Sequence, residues 1–142
     1  MTEATVQLVR DAMLSDPHAL EAGATAQEAG EALMRPEVRA VLVTDGGKLV
    51  GVITRKTLVR EVVAPGLDPR TTTLGAIAEP PNATIDSEMP LAQAFAFLEE
   101  QDFERVPVVE DGKLVGVLSR SVVQRRLAED DPPVDGDAEL GE

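Results

Sequence analysis

Apolar positions along the chain change period several times, and the changes mark the elements. From Thr25 the spacing is three or four: Ala26, Ala29, Gly30, Leu33 and Met34 share one face of a predicted helix. Thr25, with Glu28 three residues later, forms a capping-box pattern, and Pro36 marks the helix end. A β-branched run follows, Ala40-Val41-Leu42-Val43, then a turn at Asp45-Gly46-Gly47 and a return strand, Leu49 to Ile53. Two apolar runs around a Gly-rich turn predict a hairpin. A second helix is predicted over roughly Arg55 to Val63, with Leu58 and Val62 as its stripe. Ahead of all this, Ser15 to His18 reads as a turn and Ala19-Leu20-Glu21 as a short strand.

The same succession then recurs. Leu91, Ala94, Phe95 and Leu98 hold one helix face, with Pro90 in the first turn, where its missing N–H does no harm. Val106-Pro107-Val108-Val109, the turn Asp111-Gly112 and Leu114 to Leu118 predict a second hairpin, and Arg120 to Ala128 a second closing helix. Pro107 cannot donate to a ladder, so its strand is expected to be an edge or bulged there. Gly47-Lys48-Leu49-Val50-Gly51-Val52-Ile53-Thr54-Arg55 returns 65 residues later as Gly112-Lys113-Leu114-Val115-Gly116-Val117-Leu118-Ser119-Arg120. At the same offset Ala29 matches Ala94, Leu33 matches Leu98, Val41 matches Val106 and Arg60 matches Arg125, without a gap from about Val9 to Val62. This is an internal repeat. The unit is β-α-β-β-α, twice: a lead over 1–8, repeat 1 over 9–63, a linker over 64–73, repeat 2 over 74–127 and an acidic tail over 128–142.

Each repeat is too small to bury a sufficient core alone, so the two are expected to share one. Three Phe and no Tyr or Trp leave that core to Val, Leu, Ile and Ala. There is no Cys, which removes disulfides and thiolate metal sites. No apolar run is long enough to span a membrane and no signal peptide is visible, so a cytoplasmic location is expected. The net charge is −13, of which seven acids lie in the tail, whose Pro- and Gly-containing composition is that of a disordered end. An acidic chain argues against nucleic-acid binding, which needs a basic patch.

A helix, a β-hairpin, Gly-x-x-Thr/Ser at the strand end and a second helix, in tandem, resemble the cystathionine-β-synthase (CBS) domain pair, or Bateman module. The pieces that carry the resemblance are Val106-Pro107-Val108-Val109, the two Gly-Lys-Leu-Val-Gly-Val runs, and Thr54 and Ser119. The resemblance implies an α+β fold of two β-α-β-β-α repeats packed about a pseudo-two-fold axis. It implies a non-catalytic regulatory module, stand-alone or attached to a target protein, that senses an adenosine-containing ligand (AMP, ADP, ATP or S-adenosylmethionine) in an inter-repeat cleft. It also implies a homodimer.

Thr54 and Ser119 sit where a strand passes into a helix, where a hydroxyl can cap the helix or donate to ribose or phosphate. Arg55, Lys56 and Arg120 lie in the same first turns as candidate phosphate partners, and Arg105 is a cation with Ala40 in its place in repeat 1. Leu20, Val41 and Leu42 in repeat 1, and Ile85, Val106 and Pro107 in repeat 2, are candidates to lie against the base or simply to be core. By resemblance, an Asp three residues after the hydroxyl holds the ribose diol. Here Thr57 and Val122 stand there instead. A buried ribose hydroxyl left without its partner costs about 1–3 kcal/mol. The alternative is therefore a ligand-free dimeric scaffold that has lost the ribose-binding Asp. The single His18 sits in a turn, no nucleophile setting is recognisable, and Gly46-Gly47-Lys48 leads into a strand rather than a helix, unlike a P-loop.

Overall fold

The computed structural model describes residues 6–15 and 17–130. Twelve elements follow in order: α1 (Val9–Ala12), β1 (Ala19–Glu21), α2 (Ala26–Ala32), β2 (Val41–Asp45), β3 (Lys48–Ile53), α3 (Arg55–Leu58), α4 (Leu74–Ile77), β4 (Ile85–Asp86), α5 (Leu91–Gln101), β5 (Arg105–Glu110), β6 (Lys113–Ser119) and α6 (Arg120–Asp130). A π-helical turn, Val59–Val63, continues α3. The fold is α+β, as expected. The short helices α1 and α4, a matched pair at the 65-residue offset, are elements that the β-α-β-β-α reading lacks. Their stripes of two apolar residues are too brief to register as periodic.

Both hairpins close through two-residue turns in which both residues have positive φ: Gly46 (61°) and Gly47 (90°), then Asp111 (52°) and Gly112 (82°). That backbone matches the twist of the strands, and Gly and Asp tolerate it. Thr25 accepts the Glu28 N–H while Glu28 reaches back to the Thr25 N–H, completing the expected capping box. Helix α2 ends at Ala32 because Pro36 excludes its predecessor from helical geometry and its ring would crowd the Ala32 carbonyl. Met34 therefore lies beyond the helix and is 78% exposed, not on the buried face. Helix α5 has no proline at the matching point and runs to Gln101, ending on Asp102 in the left-handed region. Pro90 occupies the N-cap of α5, one residue outside the helix. Helix α6 takes in Ala128 to Asp130, so the first residues assigned to the tail are helical. The rest of the tail, 131–142, lies outside the described residues.

The strands form one sheet in the order β1-β2-β3-β6-β5-β4. Its two halves join at their hairpin starts. Lys48 pairs with Lys113, the Leu49 N–H donates to the Gly112 carbonyl (3.1 Å), and the Leu114 N–H donates to the Gly47 carbonyl (2.9 Å). Each bond is the other shifted by one repeat, so a pseudo-two-fold axis passes through this junction. A bulge breaks the register between Val43 and Thr44, and another between Val108 and Val109. The bulge belongs to both repeats, so Pro107 is not its cause. What Pro107 does is shorten the outer strand. Leu42 donates its N–H to the His18 carbonyl at 3.0 Å, whereas Pro107 has none to donate. Accordingly β1 has three residues and β4 two.

The repeats exchange their first helices. Val9 and Ala12 of α1 pack into the core built on Ile85, Leu91, Val108 and Leu118, while Leu74 and Ile77 of α4 pack into the core built on Val41, Val43 and Ile53. Matched backbone bonds hold the exchange: Val9 N–H to the Met89 carbonyl and Leu74 N–H to the Ala24 carbonyl, both 2.9 Å. Val9 and Leu74 are fully buried, and burial of such side chains contributes about 1.5–3 kcal/mol each. Neither repeat's core is complete without residues of the other.

The exchange explains the second glycine of each repeated run. The segment after α4 crosses Gly51, with the Val52 N–H to the Glu79 carbonyl at 2.8 Å and the reverse bond at 3.0 Å. The segment after α1 crosses Gly116 in the same way through Leu14 and Val117, at 2.8 and 2.9 Å. A Cβ at Gly51 would lie 2.5 Å from the Ala78 Cβ, and one at Gly116 2.7 Å from the Leu14 carbonyl oxygen. Only glycine fits under these crossings.

Candidate functional site

A cleft of about 1170 Å³ opens across the pseudo-two-fold, lined by both repeats. Repeat 1 contributes His18, the segment from Pro36 to Ala40, Leu42, Val52 and Thr54. Repeat 2 contributes the matching Ala83, the segment from Phe103 to Pro107, and Val117, together with Pro81 and Asn82. Leu14 and Pro17 add to the wall. The lining comes from strand residues and from the loops that enter β2 and β5, which bring Glu37, Arg39 and Glu104 beside Arg105 at the start of β5.

Of the residues singled out in the sequence, the cleft brings together Leu42, Thr54, Arg105, Val106 and Pro107. Leu20, Val41, Ile85, Arg55, Lys56, Thr57, Ser119 and Arg120 do not line it. Val41 and Ile85 are core, at 0% and 2% exposure, and Leu20 packs against the core of repeat 1.

The junction residues carry structural work of their own. The Thr54 hydroxyl accepts the Thr57 N–H at 3.3 Å, and the Thr57 hydroxyl accepts the Thr54 N–H at 3.0 Å. Thr57 is fully buried, with its hydroxyl engaged by Thr54. The Arg55 guanidinium donates to the carbonyls of Leu33 (2.6 Å) and Arg35 (2.9 Å), satisfying groups that the early end of α2 leaves free. The Arg55 guanidinium is thus engaged with backbone at the end of α2. In repeat 2, Arg120 pairs with Asp102 at 3.3 Å and Glu104 at 3.8 Å, and the Ser119 hydroxyl lies 3.0 Å from that of Ser121 and 3.4 Å from the Glu104 carboxylate. By contrast, the side chains of Arg39, Lys56 and Arg105 have no hydrogen-bond or ion-pair partner among the described residues.

Arg39, Glu37, Phe103 and Glu104 are cleft residues that pattern reading overlooks. They lie in the loop between helix and hairpin, where the repeats share no identity. The signal that was available is positional, since a loop entering a strand at the repeat interface must reach the boundary. Among the described residues no group of three or more His, Asp or Glu is placed to hold a metal ion, and no helix is long and apolar enough to cross a membrane.

The CBS domain family matches residues 9–64 and again 74–129. The chain belongs to the CBS-domain family. Hypoxic response protein 1 of Mycobacterium tuberculosis is 32% identical over 85 residues, which is 60% of this chain and 59% of that protein. The match thus spans less than two thirds of this relative. A crystal structure of Hypoxic Response Protein I with two coordinated zinc ions superposes with a TM-score of 0.70 at 25% identity, covering 84% of this chain and 98% of that one. A crystal structure of CBSX2 in complex with AMP superposes with a TM-score of 0.67 at 26% identity, covering 86% and 96%. The pair of CBS repeats, their mixed sheet and their tandem order are therefore those of CBS-domain pairs, and one similar protein of this fold is seen in complex with AMP.

Proposed function

We propose that this chain is a non-catalytic, cytoplasmic regulatory module that binds an adenosine nucleotide in the cleft between its CBS repeats. The observation that carries the reading is the cleft: it is built from both repeats, lined by apolar strand residues that suit a base, and includes Arg39 and Arg105, whose side chains have no partner among the described residues. The similarity to CBSX2, which holds AMP, supports the ligand class. Binding across the two repeats would tie together halves that already share their cores.

The experiment is thermal denaturation with AMP, ADP, ATP and S-adenosylmethionine. A ligand that binds only the folded state stabilises it by about 2.7 kcal/mol at one hundred times its Kd. For a chain of this size that raises Tm by roughly 5–10 °C. No shift with any of the four at millimolar concentration overturns the reading.

One observation favours a second reading. Thr57 is buried and spent on the Thr54 cap, and Val122 has no polar group, so neither repeat presents a ribose partner at that position. A dimeric scaffold without ligand would need no such partner. In either reading a second copy of this chain is the proposed partner. Met34, Val63 and Leu67 are exposed and line one groove, an apolar face of repeat 1 and its linker, where Met34 is matched in repeat 2 by Glu99.

A further inference from the structure

The two halves of the cleft are related by the pseudo-two-fold, yet the substitutions between them fall on charge. Arg39 in repeat 1 is matched by Glu104 in repeat 2, and Lys56 by Ser121. On the Thr54 side, Thr54 lines the cleft, and the side chains of Arg39 and Lys56 have no partner among the described residues. On the other side, Ser119 does not line the cleft. A Glu104 carboxylate oxygen stands 3.4 Å from the Ser119 hydroxyl, another stands 3.8 Å from the Arg120 guanidinium, and Asp102 takes a second edge of Arg120 at 3.3 Å. The Glu104 carbonyl also accepts the Arg120 N–H at 2.8 Å, which anchors the residue there. Arg105 has no partner among the described residues, but Glu104 lies beside it in the chain.

We infer that the cleft is a one-anion cleft: it takes a single phosphorylated nucleoside per chain, with its phosphate on the Arg39 and Thr54 side, because the Glu104 carboxylate already holds the matching position on the Ser119 side. The inference rests on the nucleotide reading above and adds to it which half is used and why. A phosphate brought to the second half would meet the Glu104 carboxylate and find the Arg120 cation already shared between two acids. In the first half it meets Arg39, a cation whose hydrogen-bonding capacity is unspent among the described residues. Glu104 is thus a residue that sets stoichiometry, and a chain with two copies of one motif keeps one working site.

The test is calorimetric titration of the full chain with AMP. The wild type is expected to bind one AMP per chain. Arg39→Ala is expected to weaken binding roughly tenfold or more, the loss of a charge-assisted bond, and Ser119→Ala to leave the Kd within about twofold. Glu104→Arg combined with Ser121→Lys, which copies the Arg39 and Lys56 of repeat 1, is expected to raise the stoichiometry to two. Arg39, Glu104 and Ser121 are exposed, so these variants are expected to fold. Two AMP per wild-type chain, or a larger loss from Arg105→Ala than from Arg39→Ala, overturns the inference while leaving the nucleotide reading intact. Binding by the double variant but not by the wild type overturns the inference too, since it denies the Arg39 half. No binding by either overturns the nucleotide reading, and the inference with it.

Discussion

Replacing Gly51 by alanine tests the crossing that joins the repeats. The added Cβ would stand 2.5 Å from the Ala78 Cβ and 3.0 Å from the Glu79 carbonyl oxygen. The obstacle is backbone and a side chain with no freedom of its own, and two hydrogen bonds between Val52 and Glu79 pin it in place. Relief therefore requires moving the chain after α4, which pulls on Leu74 and Ile77 in the repeat 1 core. Overpacking of this kind costs about 1–3 kcal/mol. The narrower unfolded ensemble of alanine returns about 0.4–1 kcal/mol. The net is a destabilisation of about 1–2 kcal/mol, or a fall in Tm of roughly 3–8 °C. Urea denaturation at constant slope is the assay, with Gly30→Ala as the comparison. Gly30 lies inside α2, and its added Cβ would meet the Leu58 Cδ1 at an ordinary 3.8 Å. Helix propensity alone then stabilises that variant by up to about 1 kcal/mol. A Gly51→Ala protein as stable as wild type, or a Gly30→Ala protein as damaged as Gly51→Ala, would refute the reasoning.

Other outcomes follow from single residues. Ser87 is 1% exposed and its hydroxyl has no partner among the described residues, while repeat 1 carries Ala22 at the matching position. Ser87→Ala is expected to stabilise by about 1 kcal/mol, read as a raised urea midpoint. Met34→Glu with Val63→Glu places charge on the exposed apolar face of repeat 1. Sedimentation is expected to show a dimer for the wild type and a monomer for the variant. In the linker, the Arg70 N–H and guanidinium beside Asp68 hold its carboxyl below the usual carboxylate range, and Asp68 in turn raises Arg70. Because the folded pKa is depressed, the contribution is present above the ordinary carboxylate range and is lost as pH falls through the depressed value. An NMR titration is expected to show Asp68 protonating at lower pH than in Arg70→Ala.

The fold was largely legible because repetition acts as its own control. Gly47 to Arg55 and Gly112 to Arg120 share turn chemistry, strand and cap, so each copy confirms the reading of the other. Helix positions such as Ala26 and Ala29 followed from period alone. The exchange of α1 and α4 was not legible. Four-residue helices carry too few apolar positions to show a period, and which core they enter is decided by contacts far along the chain, such as Val9 with Met89 and Leu74 with Ala24. The site was half legible. Thr54 and Ser119 were chosen by a pattern that both share, yet the structure separates them through Glu104, a loop residue outside the pattern. Arg55 reads as a free cation in sequence. It is engaged because Pro36, nineteen residues earlier, ends α2 and leaves carbonyls open. Such dependence on distant backbone has no local signature.

The most direct test of the central claim locates the ligand as well as detecting it. Backbone amide spectra of the labelled chain, titrated with AMP, are expected to shift at His18, at 37–42, at 52–54 and at 103–106, the segments that line the inter-repeat cleft. Shifts that saturate there support a nucleotide module built from two CBS repeats. Unchanged spectra at millimolar AMP, or shifts confined to the face around Met34, Val63 and Leu67, would contradict it.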